Sequence, residues 1–477
     1  MEGIVKKTKI VATVGPSSQS SEVLEEMILE GADVIRINLS HASLSFCDEI
    51  IEKVRKIEQK LNKPVGIMLD TTGPAVRLDK LKEEKVLLTK DKELKIFNYH
   101  VICNNTQLSF NNPIVVDELM VGDTLLLSDG EVILEVIDKE NDYVVCRVNQ
   151  GGEIKSRQSV HLKEKSFNLP FLNDEDIEGI MYGINNNVDF LALSCVRDEQ
   201  DILEVVDLLI ENDNNHCEII AKIENARAIE NLSEIAKVSD GLMVARGDLG
   251  IEMSIEKLPL YQKNILKVAH DYNKIGIVAT DLLMSMGNNT TPSRAEVSDV
   301  YNAIVSKCDA VLLSGETTIG NYPVETVKAM TKIIESAEED FDYIENLHET
   351  LRNIKQDITT SIAYSVVDSS LRLNARCIIA NTNSGYTAKL ISHFHPKCQT
   401  IGLSPSINTI RSLTLAYGII PILSEECNST DKIVDMCMKV ATKKLALEED
   451  NIVIITGGFP ISNKNTNFMK IEVINNE

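Results

Sequence analysis

Residues 222–252 decide the fold, and they read KIENARAIENLSEIAKVSDGLMVARGDLGIE. One short apolar run precedes Lys222 and a second precedes Arg246, and each stops abruptly at a group of charged residues. Between them, apolar residues recur at spacings of three and four, which predicts one amphipathic helix over 226–236. The order is therefore strand, helix, strand, with charge at the carboxyl end of both strands. In parallel α/β sheets and barrels, that end is where ligands bind.

The charged groups at these two strand ends suit chemistry on a charged substrate. Glu224 and Asp248 supply hard oxygen ligands on neighbouring strands, which suits a Mg²⁺ ion that keeps several waters. Lys222 shares a face with Glu224, because side chains two residues apart on a strand point the same way. A divalent cation beside an ammonium group stabilises charge on a transferring phosphoryl group or on an enolate. The alternative is a structural salt bridge at the end of a strand.

Composition limits the class of protein and its partners. The chain has 477 residues, 43% hydrophobic and 25% charged, which predicts a soluble globular protein of more than one domain. The formal net charge of −24 argues against a nucleic-acid or membrane surface, so a phosphorylated substrate needs a local basic pocket. No apolar stretch predicts a signal peptide or a membrane span. The ten cysteines form no CxxC pair, which favours reduced thiols in the cytoplasm over a zinc site or disulfides.

Strand and helix patterns alternate through most of the chain. Eight apolar runs, most followed by a helical pattern, predict an α/β fold, a TIM (β/α)8 barrel with parallel strands. Within this series, short alternating runs predict an inserted all-β lid domain, with hairpin turns at Asp129-Gly130 and at 149–152. A further alternation predicts a C-terminal α/β domain. The predicted boundaries are 1–77 and 165–344 for the barrel, 78–164 for the lid and 345–477 for the C-terminal domain.

Polar side chains follow seven of the predicted barrel strands. They are Arg36, Asn38 and Ser40; Asp70 and Thr71; Ser194 and Arg197; Lys222 and Glu224; Arg246 and Asp248; Thr280; and Ser314 and Glu316. One such group needs no explanation, because every strand must meet solvent somewhere. Since the carboxyl ends of barrel strands meet on one face, seven groups together predict a functional site there.

A second candidate site lies at Thr382–Thr387, between a predicted strand and helix of the C-terminal domain. Free backbone N–H groups and the helix dipole at such a position favour an anion. The segment therefore predicts a phosphate site, although Ser384 acting only as a helix N-cap explains the same pattern.

Several longer motifs resemble those of the pyruvate kinase family. They are TKIVATVGPSS at 8–18, GADVIRINLSH at 31–41, LDTTGP at 69–74, AKIEN at 221–225, VARGDLG at 244–250, PSRAEVSDVYNA at 292–303, LLSGETTIGNYPVE at 312–325 and TNFMKI at 466–471. The resemblance implies a barrel with a β-barrel lid after its third strand, a C-terminal regulatory domain and a homotetramer. It also implies transfer of the phosphoryl group of phosphoenolpyruvate to ADP, giving pyruvate and ATP in the last step of glycolysis, with Mg²⁺ and K⁺.

The resemblance also implies roles for single residues. Arg36 would bind the substrate phosphate, Lys222 would stabilise the transferring phosphoryl group, and Thr280 would lie near the face on which the enolate is protonated. The implied metal ligands are Glu224 and Asp248 for Mg²⁺, and Asn38, Ser40, Asp70 and Thr71 for K⁺. Gly247 and Asp248 would support the substrate carboxylate, and the nucleotide would be bound by Asn38, His41, Arg77 and Lys165. The lid acid Asp129 would close toward the nucleotide, and Thr382–Thr387 would bind a phosphorylated allosteric effector.

Some positions depart from the family pattern. They are Thr72 for Lys, Ala75 for Glu, Cys195 for Phe, Asp281 for Gln, and Lys389 and His395 for Arg. The Glu replaced by Ala75 is linked in the family to K⁺ dependence, so the K⁺ requirement stays open. The extra carboxylate of Asp281 either perturbs the site or faces a neighbouring subunit.

Three functions fit these residues. The leading one is an active pyruvate kinase. The second is a Mg²⁺-dependent aldolase or lyase, which also uses acids at strand ends to stabilise an enolate but needs neither the lid nor Arg77. The third is a catalytically weak paralogue that senses metabolites through the C-terminal loop, and it is motivated by Thr72, Ala75 and Asp281.

Overall fold

A computed structural model describes residues 6–165, 167–214, 216–354, 356–427, 429–444, 447–458 and 466–474. Within them, eight parallel strands close into a barrel in which the first strand pairs with both the second and the eighth. In chain order the strands are Lys9–Thr13, Val34–Asn38, Gly66–Asp70, Phe190–Leu193, Glu218–Ile223, Gly241–Ala245, Ile275–Ala279 and Ala310–Leu313. The predicted TIM barrel is confirmed.

Helices connect and follow the barrel strands. They are Ser21–Glu30, Leu44–Leu61, Asp174–Asn185, Glu199–Glu211, Ala226–Glu230, Leu232–Val238, Arg246–Glu252, Leu258–Asp271, Arg294–Val305, Gly315–Thr318 and Pro323–Glu339, with short 3₁₀ helices at Ile255–Lys257 and Met284–Gly287. The single helix predicted over 226–236 is wrong, because the segment forms two helices that meet at Asn231. The Asn231 side chain donates to Arg197 O and Arg227 O, each at 3.1 Å. Such side-chain bonds to the backbone compete with a continuous helix.

The barrel has an inner and an outer core. Its interior is filled by buried apolar side chains such as Val11, Met68 and Phe190. Because side chains alternate along a strand, their neighbours point outward into a larger core shared with the helices. Leu415 of the C-terminal domain joins the inner core, so this domain closes the amino-terminal end of the barrel.

The inserted segment is an all-β domain with one six-stranded and one two-stranded sheet. Its strands are Lys85–Leu88, Glu93–Phe97, Gln107–Leu108, Thr124–Leu127, Val132–Lys139, Tyr143–Gln150, Gly152–Lys155 and Val160–Leu162, with a 3₁₀ helix at Pro113–Glu118. The hairpin turn predicted at Asp129-Gly130 is confirmed. The one predicted at 149–152 is wrong, since Gly152–Lys155 leaves the larger sheet and pairs with Lys85–Leu88. Gly151 allows this crossing, because a Cβ there would lie 2.5 Å from Leu88 O.

The C-terminal domain contains a five-stranded sheet with helices, as predicted. In spatial order its strands are Ile419–Leu423, Gln399–Ser404, Cys377–Asn381, Ile452–Gly457 and Phe468–Val473, of which the last is antiparallel. Its helices are Tyr343–Asn353, Ile358–Arg372, Tyr386–His393, Ile407–Ser412 and Thr430–Lys444, and a 3₁₀ helix spans Leu413–Leu415. Among the residues described for the whole chain, no helix combines the length and apolarity that a membrane crossing requires.

Candidate active site

Asp70 is the centre of a buried charged cluster at the carboxyl end of the barrel. It ends the third strand and is 1% exposed. Its Oδ2 accepts a hydrogen bond from Arg36 Nε at 2.7 Å, and its Oδ1 accepts one from Lys222 Nζ at 2.9 Å. Burial alone would raise the pKa of Asp70, but the charges of Arg36 and Lys222 hold that pKa below its usual value. One ionised carboxylate therefore fixes two cations on the same face.

Lys222 also contacts a second carboxylate and a hydroxyl group. Its Nζ lies 2.9 Å from Glu224 Oε1 and donates to Ser194 Oγ at 2.6 Å. Burial alone would lower the pKa of Lys222, but the carboxylates of Asp70 and Glu224 raise it above its usual value. The side chain is therefore an ammonium ion with a fixed position.

Glu224 and Asp248 form the carboxylate pair of the cluster. Asp248 lies in the first turn of the helix after the sixth strand, and Glu224 Oε2 accepts the Cys195 N–H at 2.6 Å. Burial and the charge of Glu224 raise the pKa of Asp248 to about 6. The described residues contain no group of three or more His, Cys, Asp or Glu side chains that could hold a metal ion by itself. The pair thus suits a cation that takes its other ligands from water and substrate, as Mg²⁺ does.

Thr280 is held next to this pair in a left-handed backbone conformation, with φ of 65°. Its carbonyl oxygen accepts hydrogen bonds from Arg246 Nε at 3.1 Å and Nη2 at 2.6 Å. Its Oγ1 accepts the Gly247 N–H at 2.9 Å. These bonds hold a β-branched residue in a costly conformation, which is common at functional sites. Since Oγ1 is already an acceptor, its own hydrogen can be donated to a ligand.

The oxygen atoms expected to bind K⁺ lie beside the same cluster. Asn38 and Asp70 are directly paired across the second and third strands. Asn38 Oδ1 accepts the Ser40 N–H at 3.1 Å, and Thr71 Oγ1 accepts the Ser194 N–H at 3.1 Å. Each of these oxygens keeps a second lone pair for a cation.

The lid touches the barrel next to the carboxylate pair, around a cavity of about 80 Å³ that Glu224 and Asp248 help to line. His161 Nδ1 of the lid lies 3.3 Å from Glu252 Oε1, in the same helix as Asp248. His161 Nε2 and Glu252 Oε2 are buried without hydrogen-bond partners. A Cβ added at Gly130, beside Asp129, would lie 3.9 Å from the side chain of a residue in this helix.

Three residues expected to contact the nucleotide are not part of the cluster. Arg77 Nη1 donates to Arg157 O at 3.3 Å, and Lys165 Nζ is paired with Asp123 Oδ1 at 2.5 Å. His41 is exposed on a loop that follows the second strand. Arg77 and Lys165 lie at the two connections between barrel and lid, so their distance from the strand ends depends on the position of the lid.

Four of the departures from the family pattern, Thr72, Ala75, Cys195 and Asp281, follow barrel strands at their carboxyl ends. Thr72 contributes its backbone N–H to Asp176 Oδ1 at 2.9 Å, and Ala75 lines the cavity below the lid. The backbone N–H of Cys195 donates a hydrogen bond to Glu224 Oε2, and this bond does not depend on the identity of the side chain. Asp281 is exposed.

Some contacts of the cluster were missed by sequence reasoning. Ser194 was named only as a polar residue after a strand, yet its hydroxyl contacts both Lys222 and Asp70. Thr13 accepts a hydrogen bond from Arg36 Nη1 at 2.9 Å and was not named. The position of Thr13 as the last residue of the first strand is the signal that would have found it. No comparable signal exists for His161, because its contact depends on how the lid docks.

The segment Thr382–Thr387 of the C-terminal domain forms a tight turn before a helix. Thr382 Oγ1 accepts the Gly385 N–H at 3.0 Å, and Gly385 has a φ of 84°. The helix Tyr386–His393 begins there without a side-chain cap. The interpretation of Ser384 as its N-cap is therefore wrong.

The two basic residues that replace Arg in this domain both contact the barrel. Lys389 forms an ion pair with Glu218, and His395 Nε2 lies 3.2 Å from Asp309 Oδ1. Both acids lie at the amino-terminal end of barrel strands. These basic side chains thus connect the two domains.

Comparisons with known proteins agree with this architecture. The family model described as pyruvate kinase, barrel domain, matches residues 5–327, and the one described as pyruvate kinase, alpha/beta domain, matches residues 360–472. Proteins named pyruvate kinase from Staphylococcus saprophyticus and Staphylococcus aureus are each 38% identical over 476 residues, which cover 99% of this chain and 81% of theirs. A crystal structure of a pyruvate kinase from Cryptosporidium parvum has a TM-score of 0.93 and 31% identity, covering 98% of this chain and 96% of that one.

Proposed function

This chain belongs to the pyruvate kinase family, and we propose that the charged cluster around Asp70 is its site of phosphoryl transfer from phosphoenolpyruvate to ADP. The chain is a phosphotransferase, a pyruvate kinase, since its relatives of that name match 99% of it. The main support for this assignment is that Lys222 contacts both Asp70 and Glu224 in one buried cluster.

Arg36 and Lys222 supply positive charge to the phosphoryl group. Both are fixed by Asp70 before any substrate binds. Arg36 can bind two phosphate oxygens through parallel N–H bonds, whereas Lys222 acts as a point charge. In phosphoryl transfer, negative charge spreads over the equatorial oxygens, and cations that are already in place stabilise it without reorganisation.

The proposed cation sites use the oxygens already described. The ligands are Glu224 and Asp248 for Mg²⁺, and Asn38, Ser40, Asp70 and Thr71 for K⁺. When bound, these cations neutralise charge on the substrate and nucleotide phosphates. The Cys195 N–H orients Glu224 for this role. The raised pKa of Asp248 means that its ionised form is destabilised, and a cation bound beside it would stabilise that form.

Thr280 is proposed to act in the second half-reaction, in which the enolate carbon of pyruvate gains a proton. Its hydroxyl hydrogen is available because Oγ1 accepts the Gly247 N–H. The hydroxyl can orient or donate to a water that delivers the proton. Gly247 and Asp248 are proposed to border the substrate carboxylate.

The remaining assignments are proposals of the same kind. Asn38, His41, Arg77 and Lys165 bind the nucleotide, and Asp129 approaches it when the lid closes. The loop Thr382–Thr387 binds a phosphorylated effector. The chain acts as a cytoplasmic homotetramer without nucleic-acid or membrane partners, and its functional domains are 1–77 with 165–344, 78–164 and 345–477.

A pyruvate assay in two salts tests the proposed chemistry. The purified protein is mixed with phosphoenolpyruvate, ADP and Mg²⁺, first with KCl and then with NaCl, and pyruvate is followed with lactate dehydrogenase and NADH. We expect turnover in KCl. The ratio of rates in the two salts measures the K⁺ requirement that Thr72 and Ala75 leave open. A folded protein without turnover in either salt contradicts the proposal.

Nothing in the described residues or in the comparisons favours the two alternatives. Cleavage of a carbon–carbon bond without nucleotide would identify a lyase. Tight ligand binding with negligible phosphoryl transfer would identify a metabolite sensor.

A further inference from the structure

A cavity of about 740 Å³ lies between the amino-terminal end of the barrel and the C-terminal domain. Glu218, Asp240 and Asp309 line it from the barrel, and Ser384, Lys389 and His393 line it from the C-terminal domain. We call this cavity the interdomain cleft. Its volume lies within the range of about 300–1,000 Å³ that is typical of small-molecule sites. It is at the opposite end of the barrel from the charged cluster, because its barrel residues precede or begin the strands.

Two polar side-chain atoms that line the interdomain cleft are buried without hydrogen-bond partners. Glu218 Oε1 is paired with Lys389, but Glu218 Oε2 is buried without a partner, and so is His216 Nε2. His393 is only 8% exposed, and its ring packs against that of His270 with 4.2 Å between the ring centroids. Burial and the neighbouring His270 push the pKa of His393 well below its usual value, so the ring is neutral and has an acceptor nitrogen. Buried polar groups normally have partners, which indicates a ligand that donates hydrogen bonds.

The charge of the interdomain cleft indicates the class of ligand. Its lining contains the carboxylates of Asp213, Glu218, Asp240 and Asp309 but the ammonium groups of only Lys274 and Lys389. Both lysines are already engaged, Lys389 by Glu218 and Lys274 by Ser239 O at 2.6 Å. A phosphate would therefore meet excess negative charge, whereas a cation is attracted.

We propose that the interdomain cleft binds a small molecule with an ammonium or guanidinium group, which donates hydrogen bonds to Glu218 and His393. Ser384 and Tyr386 of the proposed effector loop Thr382–Thr387 also line this cleft, so the two proposed sites adjoin and differ in the charge of their ligands. A ligand there contacts both domains next to an existing ion pair between them, in which Arg411 Nη2 lies 2.5 Å from Glu58 Oε2. The proposal does not depend on the assigned phosphoryl chemistry.

Isothermal titration calorimetry on the full chain tests this site. The probes are L-arginine and spermidine, added without nucleotide in about 0.15 M KCl, where surface attraction is screened. We expect one saturable site per chain for at least one probe. Glu218→Gln should weaken binding about tenfold or more, since a hydrogen bond between charged groups is lost. Asp240→Asn should weaken it to a lesser degree.

Two controls separate the cleft from general charge. Glu84→Gln removes the same charge from an exposed position of the lid and should leave binding unchanged. Inorganic phosphate should not displace either probe, because the carboxylates around Glu218 disfavour an anion. The proposal is overturned if neither probe binds up to about 10 mM, if Glu84→Gln weakens binding as much as the cleft variants, or if Asp240→Asn and Glu218→Gln both bind like the parent. Should Glu218→Gln fail to fold, Asp240→Asn and Glu84→Gln decide the question.

Discussion

Replacement of Lys222 by Met should abolish most of the phosphoryl transfer while the protein stays folded. The change keeps an unbranched side chain and removes the ammonium that contacts Asp70 and Glu224, each at 2.9 Å. Arg36 still compensates Asp70, so Glu224 is the carboxylate that loses its partner. Breaking a buried ion pair costs about 3–5 kcal/mol, and we expect the lower end of that range for the free energy of unfolding.

The expected loss of rate follows from the charge. An ammonium about 4 Å from the transferring phosphoryl oxygens contributes about 4 kcal/mol per unit charge at an effective dielectric constant near 20. That energy corresponds to about a thousandfold in kcat. Removal of one preorganised donor from an oxyanion site has a comparable effect, about 10²–10³-fold. Since Glu224 and Asp248 remain, binding of Mg²⁺ should persist.

The assay is pyruvate formation at saturating substrate, with thermal unfolding and Mg²⁺ titration on the same samples. Lys237→Met is the matched control, because Lys237 is half-exposed and its ion pair with Glu234 lies on the surface of a helix away from the cluster. Lys222→Arg should recover part of the rate, as it restores the charge with a different shape. A folded Lys222→Met variant with kcat within about tenfold of the parent would refute the assigned role.

Three further changes test other parts of the molecule. Asp248→Asn should raise the Mg²⁺ concentration for half-maximal activity at least about tenfold, measured by Mg²⁺ titration, and an unchanged value would exclude Asp248 as a ligand. Burial alone would lower the pKa of His161, but the hydrogen bond with Glu252 and its charge raise it above 6.5. The stability that this contact contributes is therefore fully present below pH 6.5 and is lost as pH rises through the raised pKa. In that pH range the unfolding temperature of the parent should decrease more steeply than that of His161→Gln. Burial and His395 lower the pKa of His270 from 6.5 to about 4. Only the unfolded chain then binds that proton, so about 3 kcal/mol of stability should be lost as pH falls through this interval. In urea unfolding, the free energy of unfolding should decrease less on acidification for His270→Gln than for the parent.

The barrel and the grouping of charged residues at one of its ends could be predicted from the sequence, because one rule determines both. Strands that alternate with helices must be parallel, and parallel strands of a closed barrel end on one face. Asn38 therefore lies beside Asp70 although 31 residues separate them, as their strand register shows. The break at Asn231 was not predictable, because it depends on a bond to Arg197 O, which lies outside the helix. The same reason applies to His161, whose partner belongs to another domain.

One strand connects the interdomain cleft with the charged cluster. Its length limits the electrostatic effect that a ligand in the cleft can have on the reaction rate at the cluster. Glu218 begins the fifth strand, and Lys222 lies four residues further along it. At about 3.3 Å per residue, the two are about 13 Å apart along the strand. A single charge at that distance contributes about 1.3 kcal/mol at an effective dielectric constant near 20, or about tenfold in rate.

Saturating L-arginine or spermidine should therefore change kcat by no more than about tenfold if the C-terminal domain keeps its position. The rate is measured with the pyruvate assay in the parent and in Glu218→Gln, which removes the binding site but no residue of the cluster. A larger effect that disappears in Glu218→Gln cannot come from charge alone, because the fully buried strand between the two sites is rigid. It would require a second arrangement of the two domains, with the ion pairs Arg411–Glu58 and Lys389–Glu218 formed differently. Loss of the Arg411–Glu58 pair in Arg411→Met should then change kcat in the same direction without any ligand.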